Sequence, residues 1–497
     1  MNRFTKKGSP LAVRARLNRV MRAIICKSRM ILTALSIGLV GLTTTVSGAE
    51  PSLQQQLETM QRQLEQQQRT IEQMQRQLEE QNTANEQRLS GDQQMRQQAV
   101  VAKGVAQQAD GQTREVAPIA GVDISRETDG LAGEKGLNVK VHDTDTVLTI
   151  SGFVRSSAIH DFDKIGSPTQ FLSSEIVVND EPAGQPSDRT TFTANASRFI
   201  LAGSTPTESG KLSAFLSWDF DDNTTSSKAE LRLRQAWAQL DDFVLGGDVR
   251  FGQAWTVWDD LAALPETMDL KGPNGSQKKR KPLIQWSRGF QDNLTLWVAL
   301  ENPDYKITNG STESVWPDTV VSLKWQGDWG HLKPALVGRQ IRGEDSNDGS
   351  DTVIGWGTAL SGKIKVPLLA EKDNFKFQLI YGAGIAGYND DKGFDDALFT
   401  NDGDLKTIDS FQGYGAFQHW WTNMLRSSAV FGWVDVDNRD EQSDDDLGRT
   451  LYTAGNLVWS PYKQVDVGFE YLWGERENKN NDDGTATRIQ FTGKMKF

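Results

Sequence analysis

Arginines set at alternate positions among leucines and valines are the residues here that could do chemistry. Arg155 follows Val154, and Arg232 and Arg234 alternate with Leu231 and Leu233, while Arg198, Arg250 and Arg288 are looser instances. A fixed guanidinium can hold a carboxylate through two parallel hydrogen bonds and eases the passage of anions. The run Lys278-Lys279-Arg280-Lys281 adds positive charge, and Lys279, Arg280 and Lys281 join the arginines as anion-attracting candidates. Between Arg250 and that run lies segment 254–277, with Trp255, Trp258, Leu261, Leu264 and Pro265 beside the acids Asp259, Asp260, Glu266 and Asp269. It is too apolar for a solvated loop, and either folds inward to narrow a passage or serves as a lid or contact between subunits. Acids facing arginines across a passage would create a transverse field. Arginines paired with carboxylates of their own wall would only brace it. Both readings stand.

Strands must position these side chains. Sixteen candidates lie near 147–160, 190–203, 210–222, 229–240, 243–252, 281–291, 293–301, 318–327, 330–342, 353–366, 374–388, 408–421, 424–436, 447–459, 464–476 and 486–497. Alternation is plain where Leu212, Ala214, Leu216, Trp218 and Phe220 oppose Lys211, Ser213, Ser217 and Asp219. Strands of this length, oily on one face and wet on the other, fit a tilted transmembrane barrel. A charged group facing lipid at mid-membrane costs roughly 2–4 kcal/mol, so the alternating arginines must face a lumen. Long polar connections (Asn389–Lys406, Asp437–Asp446) alternate with tight ones (Gln326–Gly330, Thr422-Asn423-Met424), as external loops alternate with periplasmic turns. All 15 tryptophans lie in this region, many at strand ends where an interfacial belt would use them, and Phe497 closes the last strand. Segment 254–277 is then the third external loop.

Upstream, residues 1–49 read as an export signal: nine basic residues, an apolar run from Ile31 to Val46, then Ser47-Gly48-Ala49. Residues 50–90 read as a coiled coil. Leu53, Met60 and Met74 share one seam position, broken by Gln67, and Leu57, Leu64, Ile71 and Leu78 share the other. Such a stripe is buried against copies of the same helix, and heptads alone leave dimer and trimer open. Residues 91–144 read as a flexible linker. The expected architecture is therefore all-β: a 16-stranded antiparallel transmembrane barrel over 145–497, with a periplasmic α-helical coiled coil before it. Mean hydropathy of −0.52 does not oppose this, because barrel strands are only half apolar.

Removing the signal takes nine of 54 basic residues and none of 66 acidic ones, leaving 45 against 66, or −21. That charge argues against nucleic acid as a partner. Cys26 leaves with the signal, so no thiolate metal site is expected, and no metal or cofactor is called. The histidines His142, His160, His331 and His419 stand in no hydrolase motif, which argues against an enzyme.

Several strings resemble the DcaP-like trimeric outer-membrane porins. They are Leu264-Pro265-Glu266-Thr267 with Gly272-Pro273-Asn274-Gly275, Leu300-Glu301-Asn302-Pro303, Tyr381-Gly382 through Tyr388, Gln418-His419-Trp420-Trp421, and Trp459-Ser460-Pro461 followed by Val465-Asp466. The resemblance implies a homotrimer of barrels, each with its own channel, passing small anionic solutes such as dicarboxylates, among outer-membrane lipids and lipopolysaccharide. The basic run at 278–281 departs from the family pattern, and Gln285 stands where that pattern has arginine. The alternative reading is an envelope tether whose barrel is only an anchor. If rod and barrel are modular, deleting residues 50–90 will weaken subunit association yet leave a barrel band whose electrophoretic mobility shifts on heating.

Overall fold

A computed structural model of the protein describes residues 136–497 apart from 179–186, 209, 221–229, 346–348 and 392. The export signal, the coiled coil with its seam, and most of the linker lie outside the described residues.

A strand with one oily and one wet face satisfies both only if the sheet closes on itself. The sixteen strands do this: β1 (Val147–Asp161), β2 (Arg189–Thr193 continued by Arg198–Thr207), β3 (Gly210–Asp219), β4 (Arg232–Val244), β5 (Gly247–Trp255), β6 (Arg280–Phe290), β7 (Leu294–Glu301) and β8 (Asp318–Gly327). They continue as β9 (Gly330–Asp345), β10 (Ser350–Lys365), β11 (Asn374–Ala383), β12 (Asp409–Trp420), β13 (Leu425–Asp437), β14 (Leu447–Tyr462), β15 (Val465–Asn478) and β16 (Asp483–Lys496). Each pairs antiparallel with the next, and β16 pairs with β1 from Phe153↔Lys496 to Asp161↔Arg488. Ile159, Ile200, Phe215, Val337, Ile380, Tyr452 and Leu472 are buried on the inner face. Val154, Leu216, Ile284, Leu336, Leu360, Phe431, Phe469 and Phe491 are exposed on the outer one. A continuous belt of exposed large apolar side chains is a surface made for lipid rather than water.

Tight turns such as Val244–Gly247, Gly327–Gly330 and Tyr462–Val465 gather at one end, with the start of β1 and with Phe497. The described parts of the connections 162–188, 256–279, 302–317 and 384–408 lie at the other. At the closure, the Phe497 amide donates to Gly152 O at 3.0 Å, and the Gly152 amide returns the bond at 3.1 Å. A Cβ on Gly152 would stand 2.3 Å from Arg198 O and 2.9 Å from the Phe497 ring, so only glycine fits this seam. β16 does not reach the first residues of β1, and Leu137–Lys140 pairs there with Ile150–Val147. Four residues expected within the linker are thus a strand, because an uncovered edge leaves backbone groups without partners.

Two expected strands differ in form. The one expected over 190–203 is interrupted at Ala194–Ser197, where the Ser197 hydroxyl accepts the Arg155 amide and donates to Ala194 O at 2.7 Å. The one expected over 374–388 ends at Ala383, and the chain then turns inward through a short 3-10 segment, Ala386–Tyr388, both of whose ends are buried. Ile307–Thr308, Ala397–Phe399 and Leu405–Thr407 form a small separate sheet from the long connections.

Leu336, mid-strand in β9 and 60% exposed, tests the orientation of the wall. Leu336→Arg should destabilise the folded barrel by about 2–4 kcal/mol in a denaturant titration in lipid vesicles.

Candidate functional site: the lumen and its inner segment

Residues 256–279 join β5 to β6 by crossing the interior. Apolar residues begin the crossing: Val257 and Trp258 are buried with Ala299, Val320, Val337, Ile380, Ile385 and Tyr388. The Thr256 hydroxyl donates to Glu301 of β7 at 2.7 Å, and the Val257 amide donates to the same carboxylate at 3.0 Å. The chain then follows the wall. Asp260 meets His331 of β9 at 2.7 Å and Ser361 of β10 at 3.0 Å, and Leu264 O accepts Lys376 of β11 at 2.8 Å. Glu266 accepts Gln418 of β12 at 2.8 Å and Arg426 of β13 at 2.5 and 2.6 Å, while its carbonyl accepts Asn456 of β14 at 2.7 Å. The Asp269 amide donates to Glu470 of β15 at 2.7 Å, and Met268 O accepts Gln490 of β16 and Arg155 of β1.

The return pass lies against three of these strands, β14, β12 and β11. Asn274 donates to Thr450 of β14 at 2.7 Å, and the Gln277 amide donates to Gln378 of β11 at 3.4 Å. Gly275 runs so close to Gly413 that a Cβ would lie 2.3 Å from its carbonyl oxygen. The first pass therefore lines the wall from β7 round to β1, and the return pass lies against β14, β12 and β11.

This placement decides what its acids do. Asp259, Asp260 and Asp269 are buried, and Glu266 is clamped by Arg426. Burial pushes Asp259 up to about 8 although Lys333 opposes it. Burial also acts on Asp260, but the hydrogen bond and charge of His331 prevail and hold it at about 2. Lys333 donates to Asp259 O and lies 5.4 Å from the Trp297 ring centre. Asp269 accepts the amides of Phe171 and Gly272 at 2.9 Å, with Arg488 4.0 Å away. The acids fasten the segment to wall groups, so the expected arrangement of acids facing arginines across a gap is not what these side chains form. The reason is desolvation: a carboxylate pressed against a wall must find donors there.

The arginines gather on β1–β6, beside the strands the segment leaves and re-enters. Arg155, Arg198, Arg232, Arg234 and Arg250 are on the inner face. Asp219 accepts Arg232 at 2.9 and 3.1 Å and Arg234 at 2.7 Å, with Arg198 at 3.7 Å. Arg250 donates to Gln239 at 2.6 and 3.0 Å and lies 4.1 Å over Trp237, itself stacked on Phe215. Arg280 lies 4.7 Å over Trp255. Lys279 is buried near Asp390, where burial is outweighed by Lys271, Lys278 and Lys279, which hold that carboxyl at about 2.

Two of the expected lumen cations do something else. Arg288 shares the exposed face of β6 with Ile284 and donates to Leu245 O at 2.6 Å, so it ties down a tight turn and is not in the lumen. Lys281 faces inward but is clamped, 3.0 Å from Asp318 and 3.7 Å over the Tyr388 ring. Residues the sequence reading passed over include Lys494, 4.5 Å from the Phe153 ring, and the buried Arg339 between Asp318 and Asp396. Lys494 stands in step with Thr492 and Gln490 on an inward face, a parity signal available in the sequence. Arg339 had none, because its partner Asp396 lies in a distant loop. Among the described residues no group of histidine, cysteine or carboxylate side chains could hold a metal ion.

Comparison with known proteins agrees with this architecture. The family model described as DcaP outer membrane protein matches residues 71–497. None of the curated proteins compared matches. Among solved structures, the outer membrane channel DcaP of Acinetobacter baumannii is similar at 20% identity with a TM-score of 0.63, covering 73% of this chain and all of that one. OmpT of Vibrio cholerae (12% identity, TM-score 0.46, covering 72% and 100%) and an anion-selective porin from Comamonas acidovorans (11%, 0.47, covering 71% and 100%) are also similar.

Glu266 is the hub of the middle of the inner segment. Glu266→Ala should free that stretch from Arg426 and Gln418, and single-channel recordings should show a larger, noisier open current.

Proposed function

From the premise that this chain belongs to the DcaP outer membrane protein family, we propose that it is a passive diffusion channel for small hydrophilic anions, dicarboxylates among them. One observation carries this reading: guanidinium groups collect on the inner face of β1–β5, while the acids of segment 256–279 are fastened into the wall. Arg198, Arg232 and Arg234 gather on this face about the carboxylate of Asp219. An anion entering a passage lined with fixed positive charge exchanges water for charge-assisted contacts weak enough to release it. Three barrels associate through the heptad seams at 53–78 in this reading, with the rod in the periplasm. Outer-membrane lipid and lipopolysaccharide surround the apolar belt.

Reversal potentials in a salt gradient across planar bilayers test the proposal. The protein should favour chloride over potassium, and added succinate should reduce the chloride current. Conductance should appear in groups of three steps. Replacing Arg232 and Arg234 together with glutamine should move the reversal potential toward cation selectivity, whereas an unchanged potential would remove both from the permeation path.

A further inference from the structure

Inward cations of this barrel commonly meet a carboxylate, as Arg232 meets Asp219 and Arg426 meets Glu266. Lys363 and Lys376 make no ion pair among the described residues. Lys363 is in step with the buried Ala359 and Ser361 on the inner face of β10, and Lys376 with Gln378 and Ile380 on that of β11. The register sets the two directly opposite each other, Lys363↔Lys376, near the tight-turn end. On its other side Lys363 faces His331 of β9, one residue past the turn Gly327–Gly330. Both lysines face inward and are half-buried, so a solute in the lumen can reach them.

The carboxylates nearest to them are already engaged. Asp260 meets His331 and Ser361, and Glu266 is clamped by Arg426 and Gln418. Lys376 donates to Leu264 O of the inner segment at 2.8 Å. A carbonyl satisfies a donor but cancels no charge, so this contact fixes Lys376 in place and leaves its charge acting on the lumen. The side chain of Lys363 makes no hydrogen bond among the described residues, and the charges that act on it are those of Lys365 and Lys376. Directly opposed side chains of an antiparallel pair stand about 5 Å apart, and like charges so placed destabilise the sheet. An anion between them relieves that repulsion.

We infer that Lys363 and Lys376 form a seat for a small dianion at the tight-turn end of the lumen, and that this seat favours two negative charges over one. The inference rests on the anion-channel reading and deepens it, by naming the feature of the solute that is recognised. Two ammonium groups side by side present two point charges, whereas a single cation would serve a monoanion as well. The inner segment belongs to the device, since Leu264 O holds one of the two lysines at its post.

The test uses the full-length protein in planar bilayers at neutral pH, with succinate as the dianion and acetate as the monoanion, each titrated against the chloride current. Wild type should need less succinate than acetate for half-block. Lys363→Gln should raise the half-blocking succinate concentration about threefold, the scale of one half-exposed charge contact, and change the acetate value much less. Lys376→Gln, which retains a donor for Leu264 O, should do the same, and Lys363→Arg should keep most of the wild-type block. Lys463→Gln removes the same charge from the exposed turn between β14 and β15, and should leave both values unchanged. Should Lys363→Gln lose the heat-modifiable band, Lys376→Gln decides on the same readout. A succinate value no higher in the lumen variants than in Lys463→Gln would overturn the inference. Equal weakening of succinate and acetate would overturn it too, because any general loss of positive charge does that. A wild-type pore without anion preference would sink the channel reading itself. An anion-selective wild type blocked no better by succinate than by acetate, or showing either of those variant results, would sink only the dianion seat.

Discussion

Every backbone donor and acceptor within a membrane must find its partner in the protein, and the rest of this molecule is organised by that demand. Sixteen antiparallel strands meet it by closing, and the closure comes down to two reciprocal hydrogen bonds between Gly152 and Phe497. Where β16 falls short, Leu137–Lys140 takes over the edge of β1. Where β4 bulges at Arg234, the side chain of Gln253 from the lipid-facing side of β5 takes up the stray carbonyls. Once closed, the sheet has only one way to sort its residues, oily outward and wet inward.

The interior then faces its own accounting of polar groups. A lumen wide enough for sixteen strands is filled by folding connections into it, and those connections bring charges that need partners. Asp260 with His331, Glu266 with Arg426, and Arg339 with Asp318 and Asp396 show the rule that buried ions come paired and hydrogen-bonded. Breaking one partner of such a pair is costlier than never having made it, which keeps the segment seated. On β2–β4 the same rule brings Arg198, Arg232 and Arg234 to the buried carboxylate of Asp219.

Much of this was legible in the sequence because period two is a property of neighbours. The number of strands, their approximate limits, and the inward direction of Arg155 and Arg232 follow from alternation and from the cost of charge in lipid, whereas Arg198 and Arg250, which also face inward, alternate less clearly. Arg288 was misread because it lies near a strand end, where an arginine on the outer face reaches a turn carbonyl and never meets the hydrocarbon. The fate of the acids in segment 256–279 was not legible at all. Asp260 is 71 positions from His331, and Glu266 is 160 from Arg426, and no local pattern encodes such pairings. The bulge in β4 was equally hidden: an extra residue shows itself only in the partner strand's register, and it decides that Arg234 and Gln235 share a face.

The double pass of residues 256–279 has a mechanical side. A thin tube loaded from its flanks fails first by ovalisation, its round section flattening as opposite sides approach. Here a strut sewn to strands from β7 round to β1 stiffens the section along most of its circumference. A brace so placed would carry lateral pressure from a surrounding bilayer and help the bore keep its calibre as lipid packing changes.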